Sequence, residues 1–120
     1  MICNGYDSEL GTSLKTVAGS NIYVLGTRKN ISDYMSNSDI FALSSVSEGM
    51  PIIIIEALLS RVHMILTPVC GTVDVVNGKN GILCKNFTTE SYTAALSKVT
   101  GNLAYYKNNV HRMKTIVLIR

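Results

Sequence analysis

Pro51 is the residue that most limits how this chain folds. It separates a small, polar stretch, Ser44-Ser45-Val46-Ser47-Glu48-Gly49-Met50, from an apolar run, Ile52-Ile53-Ile54-Ile55-Glu56-Ala57-Leu58-Leu59. Proline has no N–H to give to a sheet, and its fixed φ suits the first position of a helix, where no N–H bond is due. Met50 before it is pushed toward an extended conformation. Four consecutive isoleucines favour a strand by propensity, while Pro51 at the start and the helix-forming Glu56-Ala57-Leu58-Leu59 at the end favour a helix. The expected order is a buried strand, a tight loop and a helix, with Ser47 to Met50 lying over the helix N-terminus. Unpaired backbone N–H groups and the positive end of the helix dipole prepare such a terminus for phosphate, and Gly49 lets an anion approach closely. Glu56 interrupts the apolar run. A carboxylate carried into apolar surroundings needs hydrogen-bond donors, and a ribose diol supplies two.

The rest of the chain alternates at the same pace. Met1-Ile2-Cys3 reads as the tail of a strand ending in the Asn4-Gly5-Tyr6 turn, and a helix capped by Asp7 or Ser8 runs to about Val17. Asn21 to Leu25 reads as a strand on its β-branched and aromatic residues. Ile31, Tyr34 and Met35, at helical spacing, place a short helix between Asn30 and Asn37. Asp39 to Leu43 and Val62 to Leu66 are expected strands, and Val73 to Val76 a single helical turn. Asn77-Gly78-Lys79-Asn80-Gly81 is a turn before the short strand Ile82-Leu83-Cys84. Thr88 or Thr89 opens a helix to Val99 with Tyr92, Ala95, Leu96 and Val99 on one face, and the remainder from Asn102 is read as helical. Strands alternating with helices indicate parallel units joined by right-handed crossovers. The fold class is therefore α/β, an open, doubly wound parallel sheet with helices on both faces and its ligand at the C-terminal strand ends.

Composition excludes several other classes. A chain of 120 residues allows one domain with one core, and 47% hydrophobic against 16% charged residues suits a globular domain. The net charge of +3 is mild and its cations are scattered, so no basic stripe argues for nucleic acid. Cys3, Cys70 and Cys84 form no C-x-x-C pair and read as free thiols of a reducing, cytoplasmic compartment. Ile116-Val117-Leu118-Ile119 is far shorter than the roughly 20 apolar residues that span a bilayer, and no transmembrane segment or signal peptide is expected.

Glu48 and Glu56 stand eight residues apart, with Gly-Met-Pro directly after the first and Ala directly after the second. That pattern, E-G-M-P-x4-E-A behind Ser38-Asp39-Ile40-Phe41-Ala42-Leu43-Ser44-Ser45, resembles the donor-binding signature of retaining GT-B glycosyltransferases of family four. The resemblance also supports the helix reading after Pro51. The resemblance runs from about Asn4 to Leu96. It passes through Asn21-Ile22-Tyr23-Val24-Leu25-Gly26, Thr67-Pro68-Val69-Cys70-Gly71-Thr72-Val73-Asp74-Val75-Val76 and Asn80-Gly81-Ile82-Leu83. It implies a single Rossmann-like domain over residues 1–120, one half of a GT-B fold, that binds a nucleotide diphosphate sugar for polysaccharide or glycolipid biosynthesis.

Carried over by residue, the resemblance puts Glu48 near the donor sugar hydroxyls as the catalytic position. The backbone of Gly49, Met50 and Pro51 meets sugar and phosphate, and Glu56 holds the ribose diol. Gly5 falls in a glycine loop close to the nucleotide sugar, and Arg28, with Lys29 and Asn30, falls beside the nucleobase. The alternatives are an exposed loop carboxylate for Glu48, a carboxylate on a half-exposed helix face for Glu56, and plain surface charge for Arg28. Two departures stand out: Cys70 replaces a more usual glycine, and Arg61-Val62-His63 replaces a small residue and proline, with His63 read as packed or surface rather than catalytic. No metal or other cofactor is expected, since Asp7-Ser8-Glu9, the nearest D-x-D-like pair, is better explained as a helix cap.

The resemblance also implies an acceptor domain ahead of this one, and an Arg/Lys pair on the first donor-domain strand and loop that stabilises the departing diphosphate. This sequence matches positions after both. The expectation is a donor-binding domain that is inactive alone, works with an acceptor-domain partner chain, and self-associates through uncovered apolar surface, in the cytoplasm or at the inner face of the membrane. The alternative is a non-catalytic nucleotide-sugar-binding or interaction module.

Overall fold

The computed structural model describes residues 12, 13, 16, 19, 20, 22–47, 52–102 and 105, and the backbone of 116–119. In chain order the elements are α1 (Ile31–Ser36), β1 (Ile40–Leu43), α2 (Ile52–Leu59), β2 (His63–Leu66), α3 (Thr72–Val75), β3 (Gly81–Leu83), α4 (Thr89–Gly101) and β4 (Ile116–Ile119). Thr12, Ser13 and Thr16 are helical, within the helix expected to end near Val17.

The four strands form one parallel sheet in the order β3-β2-β1-β4. Every residue of β1 and β2 is buried, as expected of parallel strands covered on both faces. Their side chains divide by parity. Phe41, Leu43, Met64 and Leu66 pack with Met35 of α1 and Ile54 and Ala57 of α2 on one face. Ile40, Ala42 and Ile65 pack with Cys84 and with Ala95 and Val99 of α4 on the other. This is a Rossmann-like α/β arrangement, and handedness explains which helix goes where. From β1 to β2 to β3 the chain steps across the sheet one way, and α2 covers one face. The return from β3 to β4 steps the other way, so a right-handed crossover must carry α4 over the opposite face.

Local chemistry sets the joints. At the end of α2, the Arg61 N–H donates to the Leu58 carbonyl at 3.1 Å and the Val62 N–H to the Ala57 carbonyl at 3.3 Å. This paired closure is the Schellman motif, and it requires a left-handed residue at Arg61, whose φ is 54°. Before β3, Asn77 Oδ1 accepts from the backbone of Lys79 and Asn80, at 2.9 and 3.1 Å, while Asn80 Nδ2 donates to the Val75 carbonyl at 2.9 Å. Gly81 then lies so close to β2 that a Cβ there would sit 2.6 Å from the Met64 carbonyl oxygen. Thr88 caps α4 by accepting from the Ser91 N–H at 3.3 Å.

Two expectations need correction. Ile22 to Leu25 forms no strand among the described residues, and Tyr23 is 70% exposed. Propensity there is strand-like, but a strand exists only through a paired neighbour. The strand tail expected at Met1-Ile2-Cys3 lies outside the described residues, as do Asn4-Gly5-Tyr6 and the Asp7 or Ser8 cap. The second correction is at the C-terminal end, read as helical from Asn102. Tyr105 is helical, but Ile116–Ile119 is a strand paired in register with β1, from Ile40↔Ile116 to Leu43↔Ile119. Four consecutive apolar residues, mostly β-branched, suit a parallel strand paired with β1 better than a helix.

Candidate functional site

The C-terminal strand ends are where an open parallel sheet offers its loops to a ligand. Here β1 and β2 leave through Ser44-Ser45 and Thr67-Pro68, and the two exits are tied together. The Thr67 N–H donates to the Leu43 carbonyl at 3.2 Å, and the buried Thr67 hydroxyl donates to the Ser45 carbonyl. The turn that follows is braced from inside by Thr72, which is fully buried. Its hydroxyl lies 2.7 Å from the Val69 carbonyl and 3.1 Å from that of Thr67, close enough to donate to either. Gly71, with φ 82°, makes the turn possible at the start of α3. Thr67 and Thr72 thus hold the loop that borders the β1 exit. The sequence reading included this stretch in the resemblance but gave Thr67 no role; its one signal is a small hydroxyl directly at a strand end.

Of the residues assigned to the donor site, Glu56 and Arg28 are described; Gly5, Glu48, Gly49, Met50 and Pro51 lie outside the described residues. Glu56 is half-buried on α2. It lies four residues into the helix, or about 6 Å along the axis from Ile52. Its carboxylate makes no hydrogen bond or ion pair among the described residues, so its acceptor oxygens are available to a ligand. Arg28 is exposed, between Gly26, whose φ is 70°, and the start of α1. No described contact joins it to Glu56.

Other reactive groups sit away from this edge. His63 is buried at the start of β2, where desolvation lowers its pKa, so it is a packed, neutral imidazole. Burial likewise raises the pKa of the Cys84 thiol and, with a smaller contribution from Cys84, that of the Tyr92 phenol. Neither is a ready nucleophile. Cys70 is exposed beside Gly71 in the braced turn. A groove of about 340 Å³ runs along α1, lined by Asn30, Asp33, Tyr34, Asn37 and Ser38, and it includes none of the residues at the strand exits. Among the described residues no group of three or more His, Cys, Asp or Glu is placed to hold a metal ion. No described helix is long and apolar enough to cross a membrane.

Comparison with known proteins connects this architecture to a chemistry. Residues 2–102 match the family described as glycosyl transferases, group 1. TuaC of Bacillus subtilis, a glycosyltransferase named for teichuronic acid biosynthesis, is 32% identical over 90 residues, covering 73% of this chain and 23% of TuaC. WbnH of Escherichia coli, an O-antigen biosynthesis glycosyltransferase, is 32% identical over 92 residues, covering 77% of this chain and 26% of WbnH. A glycosyltransferase of Methanocaldococcus jannaschii is 31% identical over 104 residues, covering 70% of this chain and 26% of that protein. The chain spans about a quarter of the length of these curated relatives. With residues 2–102 of its 120 matched by the family and relatives about 32% identical over most of its length, this chain belongs to the group 1 glycosyltransferases.

Proposed function

We propose that this chain is the donor-binding half of a retaining GT-B glycosyltransferase of family four, which takes a sugar from a nucleotide diphosphate sugar. In this reading Glu56 accepts hydrogen bonds from both ribose hydroxyls, the Gly49-Met50-Pro51 backbone faces the diphosphate, and Glu48 serves the donor sugar. Gly5 and Arg28 flank the nucleotide. The relatives named for teichuronic acid and O-antigen biosynthesis favour a role in polysaccharide biosynthesis, and the reading places the site of action in the cytoplasm, at the inner face of the membrane. Chemistry needs a second wall to hold the acceptor, so the domain works with an acceptor domain or partner chain and is inactive alone. The outward apolar side chains of α2, Ile52 at 74% and Leu59 at 79% exposed, favour association with such a partner or with a second copy.

The observation that carries this reading is Glu56, a half-buried carboxylate on the helix after the β1 exit, with no hydrogen bond among the described residues. A carboxylate in that position is open to the hydrogen-bond donors of a ligand. The test is thermal stability with UDP, GDP and ADP. Ligand at about 100 times its dissociation constant stabilises the fold by about 2.7 kcal/mol, enough for a clear shift. Glu56→Ala weakens binding by roughly 1.5–3 kcal/mol. The 2′,3′-dideoxy nucleotide loses a similar amount on the unmodified chain and little more on the variant, because both changes remove one contact. Additive losses return Glu56 to a surface carboxylate. A non-catalytic sugar-nucleotide-binding module would show the same binding, and is separated by transfer assays with the acceptor-domain chain present.

A further inference from the structure

We infer that Asn77-Gly78 is a site of self-modification, at which the side-chain amide of Asn77 is lost as ammonia through a cyclic imide, and that the turn before β3 promotes the step. Hydroxide takes the Gly78 amide proton and the nitrogen adds to Cγ of Asn77. The bond from Cγ to Nδ2 then breaks, and Nδ2 takes up a proton and departs as ammonia. Water opens the imide at either carbonyl, giving aspartate or, where the main chain now continues through the side-chain carboxyl, isoaspartate. Negative charge develops on Oδ1 as the nitrogen adds, and Oδ1 already accepts the Lys79 N–H at 2.9 Å and the Asn80 N–H at 3.1 Å. Two backbone N–H groups aimed at an oxygen that becomes an oxyanion stabilise the intermediate. Neither the departing Nδ2 nor the Gly78 N–H makes a hydrogen bond among the described residues. Both residues are exposed, and a Cβ at Gly78 would meet nothing within 4 Å, so base and water reach the reacting atoms.

The same dipeptide recurs at Asn80-Gly81, and there the fold holds it in the opposite way. Asn80 Oδ1 accepts the Asn77 N–H at 2.8 Å and its Nδ2 donates to the Val75 carbonyl at 2.9 Å, so both ends of the amide are tied and the leaving group is held. The Gly81 N–H donates to the Asn77 carbonyl at 3.1 Å. Gly81 is also buried, opposite Met64 at the first rung of the β2–β3 ladder, and its nitrogen cannot turn toward Asn80 without leaving the sheet. Loss of the Asn80 amide therefore waits for local opening. This turn enters β3 at the opposite edge of the sheet from the Ser44-Ser45 and Thr67-Pro68 exits, so the modification is independent of the donor-binding reading.

The test incubates the full chain at mildly alkaline pH, folded and in urea, and follows both sites by mass spectrometry of tryptic peptides. Cleavage after Arg61, Lys79 and Lys85 puts Asn77 in the peptide 62–79 and Asn80 in the peptide 80–85, so the two are read separately. In the folded chain Asn77 is converted at least about tenfold faster than Asn80, and in urea the two rates converge as the second site is released. Gly78→Ala places its methyl in open space, at a residue that is not left-handed. It crowds the attacking nitrogen and slows conversion of Asn77, while the urea midpoint stays level or rises slightly. Conversion of Asn80 as fast as Asn77 in the folded chain overturns the inference. So does slower conversion of Asn77 folded than in urea, or an unchanged rate in Gly78→Ala.

Discussion

α2 and α4 cover opposite faces of one sheet and become helical by different routes. α4 carries its own instructions: Thr88 at the cap, Glu90 in the first turn, Lys98 in the last, and buried Ala95 and Val99 set off from exposed Thr93, Ser97 and Thr100. α2 has no acid in its first turn, no base in its last, and four β-branched residues in succession. It is apolar almost all round, yet it buries only Ile54 and Ala57 and presents Ile52, Ile55 and Leu59 outward. Short helices are marginal without tertiary packing, so α2 depends on Pro51 ahead of it and the β1–β2 surface beneath it. The local signals in α4 are sufficient. In α2 the sheet completes the argument.

The strongest way to break this comparison is at Ile54, which is 1% exposed. Ile54→Ala is expected to cost about 2–5 kcal/mol in urea unfolding, while Ile52→Thr, on the outward face, stays within about 0.5 kcal/mol. Comparable losses at both positions would show that the outer face of α2 is packed in solution.

Smaller effects sharpen the contrast at the helix ends. Thr88→Ala removes the cap of α4 and is expected to cost about 1 kcal/mol. Arg61→Gly relieves the left-handed residue that closes α2 and is expected to stabilise by about 1 kcal/mol. Both are read as shifts in the urea midpoint. A loss at Arg61→Gly would mean that its side chain contributes more than its backbone strain.

The last prediction concerns the α4 face, where strand alternation places His63 with Ile65. Burial lowers the folded-state pKa of His63, while the unfolded imidazole takes its proton near pH 6.5. As pH falls through that value, the unfolded chain binds a proton that the folded chain refuses, and stability declines. The contribution is complete above about pH 6.5 and is lost as pH falls toward the lowered folded value. His63→Gln should flatten the dependence of the urea midpoint between about pH 7 and 5. Identical slopes for the two chains would assign the acid sensitivity to other groups.

What the sequence made legible around the strand exits rests on local signals. Pro51 set the start of α2 against the propensity of four isoleucines, and the described helix begins at Ile52. Gly71 and Thr72, quoted only within the stretch that carries the resemblance, proved to shape the turn, a left-handed residue and a buried hydroxyl acting within a few positions of themselves. Thr67 was not legible. Its hydroxyl meets the Ser45 carbonyl 22 residues away, and nothing in its neighbours announces that partner.

The sequence by itself determined the alternation of strands and helices, the capped α4, the Asn77–Asn80 turn and membership of the glycosyltransferase family, because each rests on short-range chemistry or on a pattern of neighbours. Only the tertiary structure decided which strand-like segments are strands. Ile22 to Leu25 has the propensity and no ladder among the described residues, whereas Ile116–Ile119, read as part of a helical tail, pairs with β1 across the longest separation in the sheet. A helix satisfies its backbone within a few residues, so its own sequence can specify it; a parallel strand is completed by hydrogen bonds to a neighbour that only the fold supplies.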